Sequence, residues 1–338
     1  MARIREVWAH NLDHELNLLR TAIERFPVVS MDTEFPGIVA RPIGTFRTGS
    51  DYHFQTMRCN VDLLKMIQLG LCLSDIDGNM PEEACCWQFN FQFSLTEDMY
   101  APESIELLKN SGIDFDRLER EGIEIETFAE HLITSGLVLF PNVKWVSFHS
   151  GYDFGYLLKI LTNAPLPSVE SDFFNTLHLW FPHVYDIKHI MRSVRNLKGG
   201  LQEISDSMGI TRIGPQHQAG SDSLLTALAF FRMKKNFFDD YLDDEYYKNF
   251  LYGFASAQTR VRYAPNDMIN LGASPPANIN PGPSPGPGAF PGIGMSNIGG
   301  GGGGAGGGMN GTPVGTPGAY GHVMEGMGMG YGEGRAMY

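Results

Sequence analysis

The sequence of 338 residues is short of cysteine, of long apolar runs and of basic residues. Its four cysteines, at positions 59, 72, 85 and 86, form no C-x-x-C pair. This spacing argues against a disulfide framework and against a closed zinc site. No window approaches the eighteen apolar residues of a membrane-spanning helix, and the first residues lack the apolar segment of a secretion signal. We therefore expect a soluble protein with no membrane segment, in a reducing intracellular compartment.

The shortage of basic residues limits how the chain could bind nucleic acid. Lysine and arginine number 25 against 38 aspartates and glutamates, which gives a formal net charge of −13. Proteins that bind nucleic acid through bulk electrostatics are usually basic, so any nucleic acid must be held locally here. A pair of divalent cations bound to carboxylates would supply such local positive charge.

Composition changes near Ala264. After Asn270 the chain holds 24 of its 40 glycines but only three charged residues. Such a segment has little apolar surface with which to offset the entropy of ordering, and its polyglycine run lacks the G-x-x-x-x-G-K-[ST] of a phosphate loop. We predict a folded domain over residues 1–263 and a disordered Gly/Pro/Met-rich tail over residues 264–338.

Within residues 1–263 the pattern predicts a single α/β domain. Apolar runs predict strands at 27–34, 66–74, 85–91, 143–149 and 184–190. Amphipathic stretches predict helices at 6–24, 153–163, 169–180, 200–208 and 221–238, with two or three more over 102–137. Three leading strands followed by alternating strands and helices indicate a mixed sheet flanked by helices on both faces.

Asp32 and Glu34 stand at the end of the first predicted buried strand. Because successive strand side chains alternate, carboxylates at i and i+2 point the same way. Two like charges held side by side repel each other unless something positive lies between them, and that something is usually a divalent metal. The pair therefore predicts a metal site.

Three further residues complete the pattern. Asp153 lies in the first turn of the helix after strand 143–149, and His217 and Asp222 lie at the start of a later helix, for which Ser221 is the expected N-cap. Taken singly, each has a plainer interpretation: an acid stabilised by the helix dipole, or a loop histidine. Together they form a set of four acids and one imidazole.

Four segments resemble a known family: SMDTEFPG at 30–37, FHSGYDFGYL at 148–157, NLKGGLQE at 196–203 and IGPQHQAGSDSLLT at 213–226. They are similar to the Caf/Pop deadenylases of the Ccr–Not complex, which are DEDD exonucleases with a catalytic histidine and a ribonuclease-H-like fold. The resemblance runs from about Ile4 to Gly253. All five motif positions match. Asp186 is a further acid in the sequence; the family pattern does not use it as a ligand, and so the resemblance implies a structural role for it.

The resemblance implies a role for each residue. Asp32 would bridge two divalent cations, Mg²⁺ or Mn²⁺; Glu34 and Asp222 would complete the site that activates water, and Asp153 would hold the second ion. His217 is the expected general base, because an imidazole of ordinary pKa is largely neutral near pH 7. The implied reaction is removal of 5′-AMP from the 3′ end of poly(A) RNA.

The resemblance also implies surroundings and leaves alternatives open. It implies a monomer that assembles with a Not scaffold protein and a leucine-rich-repeat Ccr-type nuclease, in the cytoplasm and also the nucleus. Phe35 and His149 either contact the terminal nucleotides or serve packing. Adenine preference rests on the resemblance alone, so a less selective RNA or DNA 3′-exonuclease remains an alternative. A chain that acts mainly as an adaptor in the complex is another.

Overall fold

The computed structural model describes residues 4–254. The predicted tail, 264–338, and its boundary with the folded domain lie outside this range and stay predictions. Within the described range, no helix is both long and apolar enough to cross a membrane.

One six-stranded mixed sheet organises the domain, in the order β1-β4-β3-β2-β5-β6. The strands are β1 (Ile4–Val7), β2 (Val28–Glu34), β3 (Gln68–Ser74), β4 (Cys86–Asn90), β5 (Lys144–Ser147) and β6 (Val184–Asp186). β3 runs antiparallel to both β2 and β4, whereas β1 is parallel to β4, and β2, β5 and β6 are parallel to one another. The α/β class and the mixed sheet are as predicted.

Helices cover both faces of the sheet. They are α1 (Leu12–Ile23), α2 (Gly49–Leu63), α3 (Pro102–Asn110), α4 (Phe115–Glu121), α5 (Ile125–Ile133), α6 (Gly151–Thr162), α7 (Glu170–Trp180), α8 (Ile187–Ile190), α9 (Leu201–Ser207), α10 (Ala219–Phe238) and α11 (Asp244–Tyr247). Strand alternation sends Val28 into a core formed with α9 and α10, and Val29 and Met31 into the larger core formed with α1, α2, α5, α6 and α7.

The register of β2 positions the site. β2 pairs with β3 along its whole length, whereas its pairing with β5 covers only Val28–Ser30 against Lys144–Val146. Asp32 and Glu34 therefore extend beyond the end of β5, where the chain turns into α6. Because β2 and β5 are parallel, the carboxyl ends of both strands meet at this edge, and α6 begins beside it.

Gly70 brings the start of α10 to the same edge. It pairs with Asp32 in the sheet, and a Cβ at position 70 would overlap the Ala219 carbonyl. Only a glycine lets the helix start come this close to β3.

Several predicted elements were wrong in detail. The chain opens with β1, so the first helix begins at Leu12, and α2 was not predicted. The strand predicted at 184–190 ends at Asp186, whose side chain accepts the Lys188 N–H and caps the short α8. α10 begins at Ala219 with Gln218 as N-cap, while the Ser221 hydroxyl donates to the Ile213 carbonyl instead of capping.

Candidate active site

Three of the expected residues form a tight cluster. One potential ligand atom from each of Glu34, His217 and Asp222 lies within 4.8 Å of the others. Asp32 and Asp153 lie outside this tight group of three. Both are buried, with 1% of their surface exposed; Asp32 lies on β2 two residues before Glu34, and Asp153 lies in the first turn of α6.

Thr33 connects Asp153 to β2. The Thr33 backbone N–H and hydroxyl both donate to Asp153 Oδ1, at 3.0 and 2.6 Å. Because Thr33 lies between Asp32 and Glu34, these bonds hold the start of α6 against the strand that carries the acidic pair. The charge of Asp153 is also near enough to raise the pKa of Glu34. All five predicted residues therefore converge at one edge of the sheet.

Asp222 is held through both oxygens. Arg212 Nη1 lies 2.8 Å from Oδ1, and the His217 backbone N–H donates to Oδ2 at 3.0 Å. Arg212 also donates from Nε to Gln202 Oε1 at 2.5 Å and from Nη1 to Ser221 Oγ at 3.0 Å. Sequence reasoning missed Arg212, since a lone arginine ten residues before Asp222 carries no local signal of its partner.

Burial raises the pKa values of three of these acids. The pKa of Glu34 lies well above its usual range because of burial and the nearby charges of Asp222 and Asp153. Burial raises the pKa of Asp153 to about 7. Burial also raises the pKa of Asp222, although Arg212 opposes the rise. The cluster therefore holds its negative charge at a cost, which a bound cation would relieve.

This donor set fits hard divalent cations. Carboxylate oxygens are the ligands that Mg²⁺ and Mn²⁺ prefer, and the acids lie on fixed elements of the fold. The pKa of Glu34 is raised partly by the nearby charges of Asp222 and Asp153, and a cation bound between these acids would offset that repulsion. Asp32, Glu34, Asp153 and Asp222 are the residues that would hold it.

The imidazole of His217 is suited to accept a proton. Burial lowers the pKa of His217, despite the opposing charge of Asp222. The side chain is therefore neutral near pH 7. Its backbone adopts φ of +60°, a left-handed conformation that is uncommon for residues other than glycine.

A cleft opens over the cluster. It is bounded by Glu34, His217 and Asp222 on the acidic side, and the rest of its lining is mixed apolar and polar: Thr33, Phe35, Ser104, Leu107, Leu108, His149, Tyr152, Leu201, Gln202, Arg212 and Gln216. The Phe35 ring stacks on Tyr152 with centroids 5.1 Å apart, and the His149 ring meets Tyr252 edge-on at 5.0 Å. Phe35 and His149 thus reach the cleft and also pack against neighbours, so both interpretations of them stand.

Asp186 has the structural contacts expected of it. Its carboxylate accepts the backbone N–H groups of His149, Lys188 and Tyr252 at 2.9 Å each. These bonds fix the turn between β5 and α6, just before Asp153.

The chain is similar in sequence to known proteins. The model of the CAF1 family ribonucleases matches residues 7–134 and 127–230. The chain belongs to the CAF1 ribonuclease family. It is 59% identical to the poly(A) ribonuclease pop2 of Schizosaccharomyces pombe over 75% of each chain. It is 52% identical to the probable CCR4-associated factor 1 homolog 7 of Arabidopsis thaliana, over 74% of this chain and 93% of the relative.

Solved structures of CAF1 relatives share the fold. The Mg²⁺- and Mn²⁺-bound form of S. pombe Pop2p superposes with a TM-score of 0.73, covering 75% of this chain and all of that one at 59% identity. Yeast CAF1, co-crystallised with the NOT1 MIF4G domain, superposes with a TM-score of 0.63 over 74% of this chain and 96% of that one, at 35% identity. The predicted family and ribonuclease-H-like fold are confirmed.

Proposed function

We propose that this chain is a metal-dependent 3′-to-5′ exoribonuclease that shortens poly(A) tails and releases 5′-AMP. The observation that carries the proposal is the convergence of Glu34, Asp222 and His217 within 4.8 Å of one another, beside Asp32 and Asp153. The S. pombe relative named as a poly(A) ribonuclease supports the choice of substrate.

Asp32, Glu34, Asp153 and Asp222 would hold two divalent cations, Mg²⁺ or Mn²⁺. The S. pombe relative was solved with both metals, which supports this assignment. When bound, such cations offset the charge on the attacking and leaving oxygens during in-line displacement at phosphorus. Asp32, Glu34, Asp153 and Asp222 would contribute by holding the cations on fixed elements of the fold.

His217 would act as the general base. Its neutral imidazole accepts a proton from the attacking water as the water oxygen bonds to the terminal phosphorus. The bond from phosphorus to the 3′ oxygen of the preceding nucleotide breaks, and that oxygen takes up a proton. The products are 5′-AMP and an RNA shorter by one nucleotide. Phe35 and His149, on the cleft wall, would contact the departing nucleotide.

We also propose that the chain works as one copy within a larger complex, in the cytoplasm and the nucleus. The yeast relative that was co-crystallised with NOT1 supports a Not scaffold as partner, and the family resemblance extends this to a leucine-rich-repeat Ccr-type nuclease. Co-purification with a NOT1 MIF4G domain, and fractionation of tagged protein in cells, test these two points.

The activity test uses the purified full chain on 5′-labelled oligo(A), oligo(U) and oligo(C) of equal length. We expect stepwise shortening of oligo(A) from the 3′ end, with 5′-AMP as product, and loss of the reaction on chelation with recovery on addition of Mg²⁺ or Mn²⁺. Equal rates on all three substrates would favour the less selective exonuclease. No hydrolysis at any metal concentration, with NOT1 binding intact, would favour the adaptor.

A further inference from the structure

The conformation of His217 needs support from its surroundings. A residue other than glycine at φ of +60° is held there only when neighbouring contacts determine it. Its N–H donates to Asp222 Oδ2 at 3.0 Å, and its carbonyl lies 2.9 Å from the hydroxyl of Ser111, at the end of α3. These two contacts fix the backbone of His217, from which the imidazole extends. Neither contact connects this part of the chain to the sheet.

Gln218, the next residue, anchors this part of the chain to the sheet. Its Nε2 donates to the Ser111 carbonyl at 2.9 Å, and its Oε1 accepts from Gln88 Nε2 at 3.2 Å. One side chain thus connects the end of α3 to strand β4 immediately after His217. Gln218 is absent from the cleft lining, whereas Gln216 and His217 belong to it.

Gln88 connects this anchor to the sheet. Its Oε1 accepts the Gly220 N–H at 2.8 Å, and its Nε2 also donates to Glu6 Oε1 in β1 at 3.0 Å. Gln88 is 2% exposed. The same buried side chain therefore holds the first turn of α10 and the residue that follows His217.

A second amide chain runs in parallel with the first. Gln68 Oε1 accepts the Ala219 N–H at 3.3 Å, and its Nε2 donates to Asn90 Oδ1 at 2.8 Å. Asn90 Nδ2 donates in turn to Glu6 Oε2 at 2.9 Å. Gln68, Gln88 and Asn90 are buried, and buried amides that are fully hydrogen-bonded stiffen the structure around them. We define Glu6, Gln68, Gln88, Asn90 and Gln218 as the amide network.

We propose that Gln218 is a positioning residue for His217 and that the amide network transmits the rigidity of the sheet to the general base. This inference rests on the proposed function, because it assumes that His217 accepts the proton. An imidazole displaced by about 1 Å can lose on the order of a hundredfold in rate. Binding of RNA should be spared, because Gln218 does not line the cleft.

The test compares kcat and KM for oligo(A) in the full chain with Gln218→Met, which keeps the volume but removes both hydrogen bonds. We expect kcat to fall about 10- to 100-fold with KM within about twofold. Gln92→Met is the matched control. Gln92 follows β4, but its side chain is exposed and makes only a long hydrogen bond, from Nε2 to the Glu119 carbonyl at 3.4 Å. This control should keep the wild-type kcat.

A double-mutant cycle separates positioning from general structure. If Gln218 acts through His217, then Gln218→Met should cost nothing further in a His217→Ala background, measured in single turnover. If that background is too slow to measure, the split between kcat and KM decides. Gln218→Glu, which keeps the acceptor for Gln88 but loses the donor to Ser111, should show an intermediate loss and serves if the methionine variant does not fold.

The outcomes separate the positioning role of Gln218 from the general-base role of His217. A wild-type kcat in Gln218→Met or Gln218→Glu, or an equal loss with and without His217, would overturn the positioning role. A wild-type kcat in His217→Ala would instead reject the general base of the proposed function. Loss in His217→Ala with no loss in Gln218→Met would leave the function standing and remove this inference.

Discussion

At the scale of single residues, the acids that would bind metal make the metal-free protein less stable when they are ionised. Asp153 is buried, accepts two hydrogen bonds from Thr33 and lies close enough to Glu34 to raise its pKa. A carboxyl group whose pKa rises to about 7 on folding binds its proton more tightly in the native state than in the unfolded chain. The protonated Asp153 side chain therefore stabilises the metal-free protein fully at low pH. This stabilisation is lost as the pH rises through about 7.

Asp153→Asn tests this pH dependence. The amide keeps an oxygen that can accept the hydrogen bonds from Thr33, but it does not ionise. Without metal, the wild type should lose stability relative to the variant as the pH rises from about 5 to 8, by roughly 3 kcal/mol. Urea unfolding across this pH range measures the difference. Mg²⁺ or Mn²⁺ should stabilise the wild type and should barely stabilise the variant, which should also lack activity. If the difference in unfolding free energy between wild type and variant did not change with pH, ionisation of Asp153 would not destabilise the protein.

Arg212 is the second residue-scale test. It pairs with Asp222 at 2.8 Å and joins it to Gln202 and Ser221. Arg212→Gln should leave Asp222 less well oriented and harder to ionise, lowering kcat by about tenfold or more and raising the metal concentration needed for half activity. Arg192→Gln, at an exposed position, is the control. An unchanged metal requirement in Arg212→Gln would show that Asp222 does not depend on this pair.

At the scale of elements, the active site depends on how closely α10 approaches β3. Gly70 faces Ala219 at the point where β3 pairs with Asp32. A side chain at Gly70 would push the helix start, with Asp222 and the adjoining His217, away from the acids on β2. The sheet therefore positions the site partly through a missing side chain.

Gly70→Ala should cost about 1–3 kcal/mol of unfolding free energy and reduce hydrolysis by at least about tenfold, as overpacking against backbone does. Gly49→Ala is the matched control, because a Cβ there meets nothing within 4 Å. Chemical denaturation and the oligo(A) assay measure the two effects. If Gly70→Ala kept both wild-type values, α10 would not depend on this close contact.

The sequence predicted those elements and residues that carry a local pattern, and it missed those that depend on distant partners. Strand β2, the start of α6 and the five site residues carry local patterns, so the sequence indicated them. β1 was missed because its place depends on parallel pairing with β4, far along the chain. Arg212 was missed because a single arginine ten residues before Asp222 has no spacing that indicates the pair. Gln218 was missed because its partners, Ser111 and Gln88, lie far away in the sequence.

At the scale of the whole molecule, an acidic chain of net charge −13 must bind RNA through a local site. We propose that the cleft over the acids provides that site when cations are bound. The glycine-rich segment beyond residue 263 has few charges and few apolar groups. The residues named for the cleft and for the amide network all lie between Glu6 and Asp222, so we predict that chemistry does not require this segment.

A chain ending at residue 263 should therefore keep kcat on short oligo(A) within about twofold of the full chain. Equal thermal unfolding of the two proteins confirms that truncation leaves the domain folded. If the folded, truncated protein lost hydrolysis, the tail would have a role in the chemistry.

The central claim is that Asp32, Glu34, Asp153 and Asp222 together hold divalent cations beside His217. The most direct measurement is anomalous diffraction from crystals of this protein grown with Mn²⁺. Two peaks are expected about 3.5–4 Å apart, each within about 2.5 Å of these carboxylate oxygens. An absence of peaks among these acids at saturating Mn²⁺, or peaks only elsewhere on the molecule, would contradict it.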